Sequence, residues 1–244
     1  MKSFPRLNFR VHRAGGSPYF FRPFLMILSA LLVLTSLLQA QTVVMQDDFH
    51  NKTDSIDGLS PTKGRETWKI AYDGVISTDG TQATLEMHTD NQVKATYPFE
   101  LAGNTIYTLK ITYKFTPTKT DMGTWVGFGF GAGEDADITN TPWMMISPQT
   151  NLEDEQLAKG LVGLKEAGVM TVSPADYAAP ITLKIRWNTG TGEVQYFVKD
   201  EIQPDWTQKV PPSGSDYKVY IGGMGYCGTS KITNITLTSE PIKK

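Results

Sequence analysis

From residue 41 onward, apolar and polar positions alternate with period two along most of the chain, most cleanly over residues 181–198. Ile181, Leu183, Ile185 and Trp187 alternate with Thr182, Lys184 and Arg186, and on the return run Val194, Tyr196 and Val198 alternate with Glu193, Gln195 and Lys199. Successive strand residues point to opposite faces, so the pattern predicts two strands with one face buried. With Thr189, Gly190, Thr191 and Gly192 as the loop, Trp187 lies opposite Val194, Ile185 opposite Tyr196 and Leu183 opposite Val198, and both apolar faces coincide. Arg186 then falls opposite Gln195, and Lys184 shares that wet face. Phe197 breaks the pattern by sitting on the polar side, where it requires a covering loop.

Residues 106–116 repeat the signal, with Tyr107, Leu109, Ile111, Tyr113 and Phe115 on one face and Thr108, Lys110, Thr112, Lys114 and Thr116 on the other. Shorter runs at 42–45, 68–72, 74–77, 83–87, 93–97, 143–147, 161–164, 169–172, 206–210, 217–222 and 232–238 read as further strands. Asp73-Gly74, Asp79-Gly80 and Asp90-Asn91 supply turn residues between them. One short helix is predicted: Asn151 as cap, Glu153, Asp154 and Glu155 in its first turn and Gly160 as its stop. Residues 43–49 and 232–238 are expected to pair and close a sheet edge. No repeat or linker divides residues 41–244. The chain therefore reads as one all-β domain, a two-sheet antiparallel sandwich with at most one short helix.

Residues 123–131 are different. Val126, Phe128 and Phe130 share one face, while Trp125 shares the other with Gly127 and Gly129. Repeated glycine on one strand face marks close approach by something else, either a ligand or a covering loop such as residues 134–141. A flat ring beside such a trough suits the apolar face of a sugar. Trp206, placed in or just after a turn by Gln203, Pro204 and Asp205, and Trp143 complete the candidate ligand-binding set. Trp187 and Trp68 read as core.

Ahead of the strands, Lys2, Arg6, Arg10, Arg13 and Arg22 precede an apolar run at 24–38, followed by the small residue Ala40. This is the pattern of a secretory signal peptide over residues 1–40, and the run is short for a membrane anchor of roughly 20 residues. Its removal leaves 18 of the 23 Lys and Arg against all 25 Asp and Glu. An acidic surface is a poor partner for nucleic acid, and no membrane attachment is expected after cleavage. Cys227 is the one cysteine, so no disulfide can form within the chain.

Catalytic patterns are missing. Glu86, Glu100 and Glu193 are isolated acids that could meet only across strands, His50 and His88 lack zinc spacing, and no Gly-x-Ser-x-Gly or phosphate-binding glycine loop occurs. Two acidic groups offer calcium-type oxygen ligands: Asp47 and Asp48, with Asp54 and Asp57 nearby, and Glu134, Asp135 and Asp137. Neither has a diagnostic spacing, so structural calcium and solvated loop acids both stay open.

Taken together, the entry strand ending Asp47-Asp48-Phe49, the Pro98-Phe99-Glu100-Leu101-Ala102-Gly103 approach to a long strand, the hairpin tip Asn188-Thr189-Gly190-Thr191-Gly192 and the closing Ile232-Thr233-Asn234-Ile235-Thr236-Leu237 resemble the concanavalin A-like jelly-roll superfamily of lectins and glucanases. The likeness is to its laminin-G-like domains exported by bacteria. It implies a jelly-roll sandwich with a glycan-binding face. It transfers no catalytic residues, because Glu153-Asp154-Glu155 is contiguous where the glucanases space their acids along a strand. The expected function is an exported, non-catalytic module that binds a polysaccharide or other extracellular glycan. A glycoside hydrolase or polysaccharide lyase on the same fold, and a structural or adhesive surface protein, are the alternatives.

Overall fold

Two apolar strand faces exclude water only by packing on each other, and the alternation along this chain is resolved in that way. The computed structural model describes residues 41–71, 74–87, 92–117, 125–148, 156–173, 179–224 and 228–242. In chain order the strands are β1 (Thr42–Asp47), β2 (Lys52–Thr53), β3 (Lys69–Ala71), β4 (Val75–Asp79), β5 (Ala83–Met87), β6 (Gln92–Glu100), β7 (Thr105–Pro117) and β8 (Trp125–Ala132). They continue as β9 (Pro142–Pro148), β10 (Gln156–Val162), β11 (Lys165–Val172), β12 (Ile181–Asn188), β13 (Glu193–Val198), β14 (Trp206–Lys209), β15 (Asp216–Met224) and β16 (Gly228–Pro241). No helix occurs among the described residues.

The strands form two antiparallel sheets, the sandwich expected from the pattern, with the jelly-roll form that the resemblance implies. The nine-stranded sheet runs β14-β13-β12-β7-β16-β5-β4-β2, with β1 also on β16; the seven-stranded sheet runs β11-β10-β9-β8-β15-β6-β3. Strand β16 organises the larger sheet. One of its edges takes β7 from Gly228↔Pro117 to Pro241↔Thr105, with a bulge between Ile232 and Asn234. Its other edge is shared by β5 and β1, and the β1 register, Thr42↔Ser239 to Asp47↔Ile235, is the expected pairing of the terminal runs.

The β12–β13 hairpin has the register read from its alternation, with Trp187↔Val194, Ile185↔Tyr196, Leu183↔Val198 and Arg186↔Gln195. Trp187 is fully buried, its ring 5.3 Å from both Phe130 and Tyr217, and its Nε1 donates to the Val210 carbonyl at 2.8 Å. Trp68 is equally buried. Phe197 is covered chiefly by Lys184, its cross-strand partner, whose Nζ lies 4.1 Å from the ring centroid. The 199–201 segment holds that ammonium in place through the Glu201 carbonyl, 2.8 Å away.

The predicted helix is corrected where it can be seen. Its second half, residues 156–160, is part of β10, which pairs with β9 on one side and β11 on the other. Gly160 is no terminator: a Cβ there would lie 2.9 Å from the Tyr196 ring and 3.1 Å from Trp206. Small inward residues at Ala158 and Gly160 make room for rings arriving from the other sheet, and a cap-and-stop reading of the sequence does not register that demand. The short run expected at 161–164 is the end of β10 with the turn that follows it, and the run at 169–172 is the second half of β11. The signal segment 1–40, Asn151 to Glu155, the Asp90-Asn91 turn, Asp73, His88 and Cys227 lie outside the described residues.

Candidate functional site

The outward face of the seven-stranded sheet departs from the usual polar pattern. Gly127, Gly129 and Gly131 of β8 point outward while Val126, Phe128 and Phe130 fill the core. Strand β9 places Trp143 directly beside Gly129, and its indole occupies the trough that the glycines create. A Cβ on Gly127 would lie 3.1 Å from Trp143 Cζ3, and one on Gly129 2.5 Å from Trp143 Cα. The indole is 4% exposed and is fixed by Nε1 donating to the Gly163 carbonyl at 2.8 Å. Trp125, half-buried, packs tilted against it with centroids 5.5 Å apart and an interplanar angle of 60°.

The glycines therefore admit a neighbouring tryptophan, and the groove expected beside Trp125 is filled from within. The 133–137 turn covers Gly131, where the Ala136 carbonyl would lie 2.5 Å from a Cβ. Trp206 is elsewhere: its half-buried ring packs over Gly160 and Gly168, closing the gap between β14 and the β10–β11 hairpin of the other sheet. Of the three candidate tryptophans, the fold unites Trp125 with Trp143 and separates Trp206.

Within the turn, Lys94 of β6 donates to the Asp135 carbonyl and Lys218 of β15 to the Glu134 carbonyl. Burial pushes the Lys94 ammonium below its ordinary pKa, against the pull of Asp135. Asp137 accepts from the Thr139 hydroxyl at 2.6 Å and from its N–H at 2.9 Å, and these bonds hold its carboxyl below the ordinary value. Two lysines already engage the carbonyls that a cation would seek in this group.

The other acidic group gains a member that sequence spacing did not suggest. Asp47, Asp48 and His50 bring one ligand atom each to within 4.8 Å of one another. Phe49, at φ 54, turns the chain so that His50 falls back beside Asp48. His50 Nδ1 lies 3.0 Å from Asp48 Oδ1, which also accepts the Thr62 hydroxyl at 2.5 Å, and the Thr62 bond leads in lowering the Asp48 pKa. Asp47 is buried, with Oδ1 accepting the Phe49 N–H at 2.9 Å and Oδ2 accepting Trp68 Nε1–H at 2.7 Å. Burial raises its pKa in spite of both bonds. Asp57 instead accepts the Ile70 N–H at 3.0 Å, apart from this group.

One pair of acids does meet across strands. Glu100 of β6 stands directly opposite Asp216 of β15, and with Glu66, Pro98, Phe99 and Ser215 they line an open depression of ≈ 390 Å³. Glu86 and Glu193 are on the larger sheet. Asp216 follows Ser215 in a stretch that reads as a loop, so only the β6–β15 register reveals the partnership.

No protein family and no curated protein matches the sequence. Solved structures do match the fold. The metal-free carbohydrate recognition domain of Emp46p aligns with a TM-score of 0.55 at 9% identity, covering 79% of this chain and 97% of that domain. A β-1,3-glucanase from Mycobacterium marinum gives 0.51 at 12%, covering 80% and 98%. The lumenal domain of VIP36, in a Ca2+/Man3GlcNAc-bound form, gives 0.50 at 9%, covering 72% and 85%. The Emp46p domain also matches in a potassium-bound form. At these identities the likeness is one of fold: the chain has a jelly-roll sandwich fold similar to that of these carbohydrate-recognition domains and of this glucanase.

Proposed function

We propose that this chain is an exported, non-catalytic glycan-binding module of the laminin-G-like kind, working outside the cell after loss of residues 1–40. The observation that carries the reading is Trp125, a half-buried indole braced by Trp143 on the outward face of the seven-stranded sheet. A braced aromatic offers flat apolar area to a sugar ring with little ordering cost, and part of that burial survives as affinity. Its setting among lectin-like folds supports the assignment. Titration of wild type and Trp125→Ala against a panel of neutral polysaccharides tests it: the variant should bind at least about tenfold more weakly, on the order of 1.4 kcal/mol, with its melting temperature little changed. Equal affinities would overturn the platform. Export is tested by the intact mass of secreted material, which should begin at Gln41.

The Glu100–Asp216 depression favours a second reading, a glycoside hydrolase, because hydrolysis of a glycosidic bond uses two carboxyl groups held a few ångströms apart. Release of reducing ends that Glu100→Gln abolishes would establish it. A structural cation would be held by Asp48 and His50, with Asp47 behind them. Calcium prefers an all-oxygen set, and the imidazole makes this a mixed one that suits a zinc-like ion better. Thermal melts with EDTA, Ca2+ or Zn2+ distinguish the two ions.

A further inference from the structure

The outward positions of the nine-stranded sheet set lysine against lysine twice. Lys110 of β7 stands opposite Lys184 of β12, and Lys114 of β7 opposite Lys231 of β16. Like charges directly opposite one another destabilise a sheet, so each pair calls for a counter-charge. The first has one: Asp200 accepts from Lys110 at 2.5 Å and from Lys184 at 3.3 Å, and Lys110 holds the Asp200 carboxyl below its ordinary pKa. The second pair has no carboxylate within ion-pair distance among the described residues. Lys114 and Lys231 are both exposed.

Polar groups able to bind a sugar lie between the two pairs. Thr112 and Thr182 face each other across β7 and β12 with their hydroxyls 2.9 Å apart, and Asn234 stands opposite Thr112 on β16. Lys110 and Lys114 are about 13 Å apart along β7, at roughly 3.3 Å per residue. This positive strip is a local exception on a chain whose residues 41–244 hold 18 of the 23 Lys and Arg against all 25 Asp and Glu.

We propose that this face docks an anionic polysaccharide, a linear chain bearing carboxylates, with Lys114 and Lys231 supplying the counter-charge and Thr112, Thr182 and Asn234 the hydrogen bonds to sugar hydroxyls. The polymer class rests on the glycan-binding reading; the residues belong to the opposite face from Trp125. Duplex nucleic acid carries a charge every ~1.7 Å of its axis and would be repelled by the acidic remainder of the chain. A polymer of sparser charge and many hydroxyls matches two lysine pairs separated by a hydroxyl-lined strip.

Binding to polygalacturonate and to its methyl ester, which keeps the hydroxyls and loses the charge, tests the proposal. The protein should bind the acid form, more weakly as salt rises from ~50 to ~300 mM, and should not bind the ester. Lys114→Gln combined with Lys231→Gln should weaken binding at least about tenfold at an unchanged or higher melting temperature, while Lys52→Gln on the exposed β2 leaves it intact. No binding to polygalacturonate, equal binding of the two polymers, wild-type affinity in the double variant, or an equal loss in Lys52→Gln would each overturn it. Tighter binding of single-stranded DNA at matched charge would also overturn it, by making the face a general polyanion site. Trp125→Ala should retain this binding, so failure of the platform on the other face is read separately.

Discussion

The β12–β13 hairpin and the β8–β9 ribbon are both two-stranded units with an apolar inner face, and they treat their outer faces in opposite ways. The hairpin turns lysine, arginine and threonine to water and hides one phenylalanine under a lysine stem. The ribbon lays Trp143 over Gly127 and Gly129 and braces Trp125 against it, so it is packed on both sides of the sheet. The difference teaches that a strand's outer face can be a second, shallow core, built from the absence of side chains on one strand and an excess on the next. Such a layer is rigid and apolar at its rim, which is where Trp125 remains available.

The hairpin side of this contrast breaks most severely at its inner face. Trp187→Ala removes a fully buried ring that touches Phe130 and Tyr217, and leaves the Val210 carbonyl without its donor. The expected loss is about 3–5 kcal/mol, read as a fall in the urea midpoint. A loss under 1 kcal/mol would mean that the register is not what holds the sheets together.

The ribbon side is sharpened by adding a single methyl group. In Gly129→Ala the new Cβ would meet the Trp143 backbone and lie 2.6 Å from the Pro142 carbonyl, so β8 and β9 must part. Overpacking of this kind costs about 1–3 kcal/mol. Gly103→Ala, with nothing within 4 Å of its added carbon, is the control and should move stability by less than about 0.5 kcal/mol. Equal midpoints for the two variants would show that the glycine face is not packed.

These two regions also show how far the sequence can be read. In the hairpin, the face of every residue follows from its own position, and a four-residue loop ties partner to partner. Register, loop and core therefore emerge from one short stretch. In the ribbon, the alternation correctly separates Phe128 from Gly127, but what lies over the glycines is set by a residue more than a dozen positions away. Nothing in residues 123–131 distinguishes an indole from a ligand. The same reason hides the Glu100–Asp216 pair and the return of His50 to Asp48: each needs a register or a backbone turn that no single window contains. The misread helix belongs here too, since Gly160 is small for the sake of Tyr196 and Trp206 on the other sheet.

Lys184 gives a smaller test. As a wet-face residue it should be replaceable at under about 0.5 kcal/mol, but its side chain is 17% exposed, roofs Phe197 and reaches both Asp200 and the Glu201 carbonyl. Lys184→Ala should therefore cost about 1 kcal/mol, the scale of an exposed cation–π contact plus partial exposure of the ring. Lys114→Ala, the uncompensated lysine of the same face, should cost nothing measurable or stabilise slightly. Matching midpoints for the two would remove the roof from the account of Phe197.

The smallest effect is one of pH, and it separates the compensated lysine pair from the uncompensated one. The Asp200 carboxyl is held below its ordinary pKa first by its hydrogen bond from Lys110 and then by the charges of Lys110 and Lys184. A depressed folded-state pKa contributes stability that is fully present above the unfolded value of about 3.9, and that is lost as pH falls through the folded value. Because the Asp200 side chain is 51% exposed, solvent screens the pair and the contribution is small. Asp200→Asn should lower the melting temperature slightly near neutral pH and leave it unchanged well below the folded pKa, so the two melting curves converge on acidification. Removing charge at Lys114 should not alter that acid limb, since no carboxylate among the described residues answers it. A constant offset between wild type and Asp200→Asn across the whole range would show that Asp200 acts through packing, and that the Lys110–Lys184 pair is tolerated without a counter-charge, as the Lys114–Lys231 pair is.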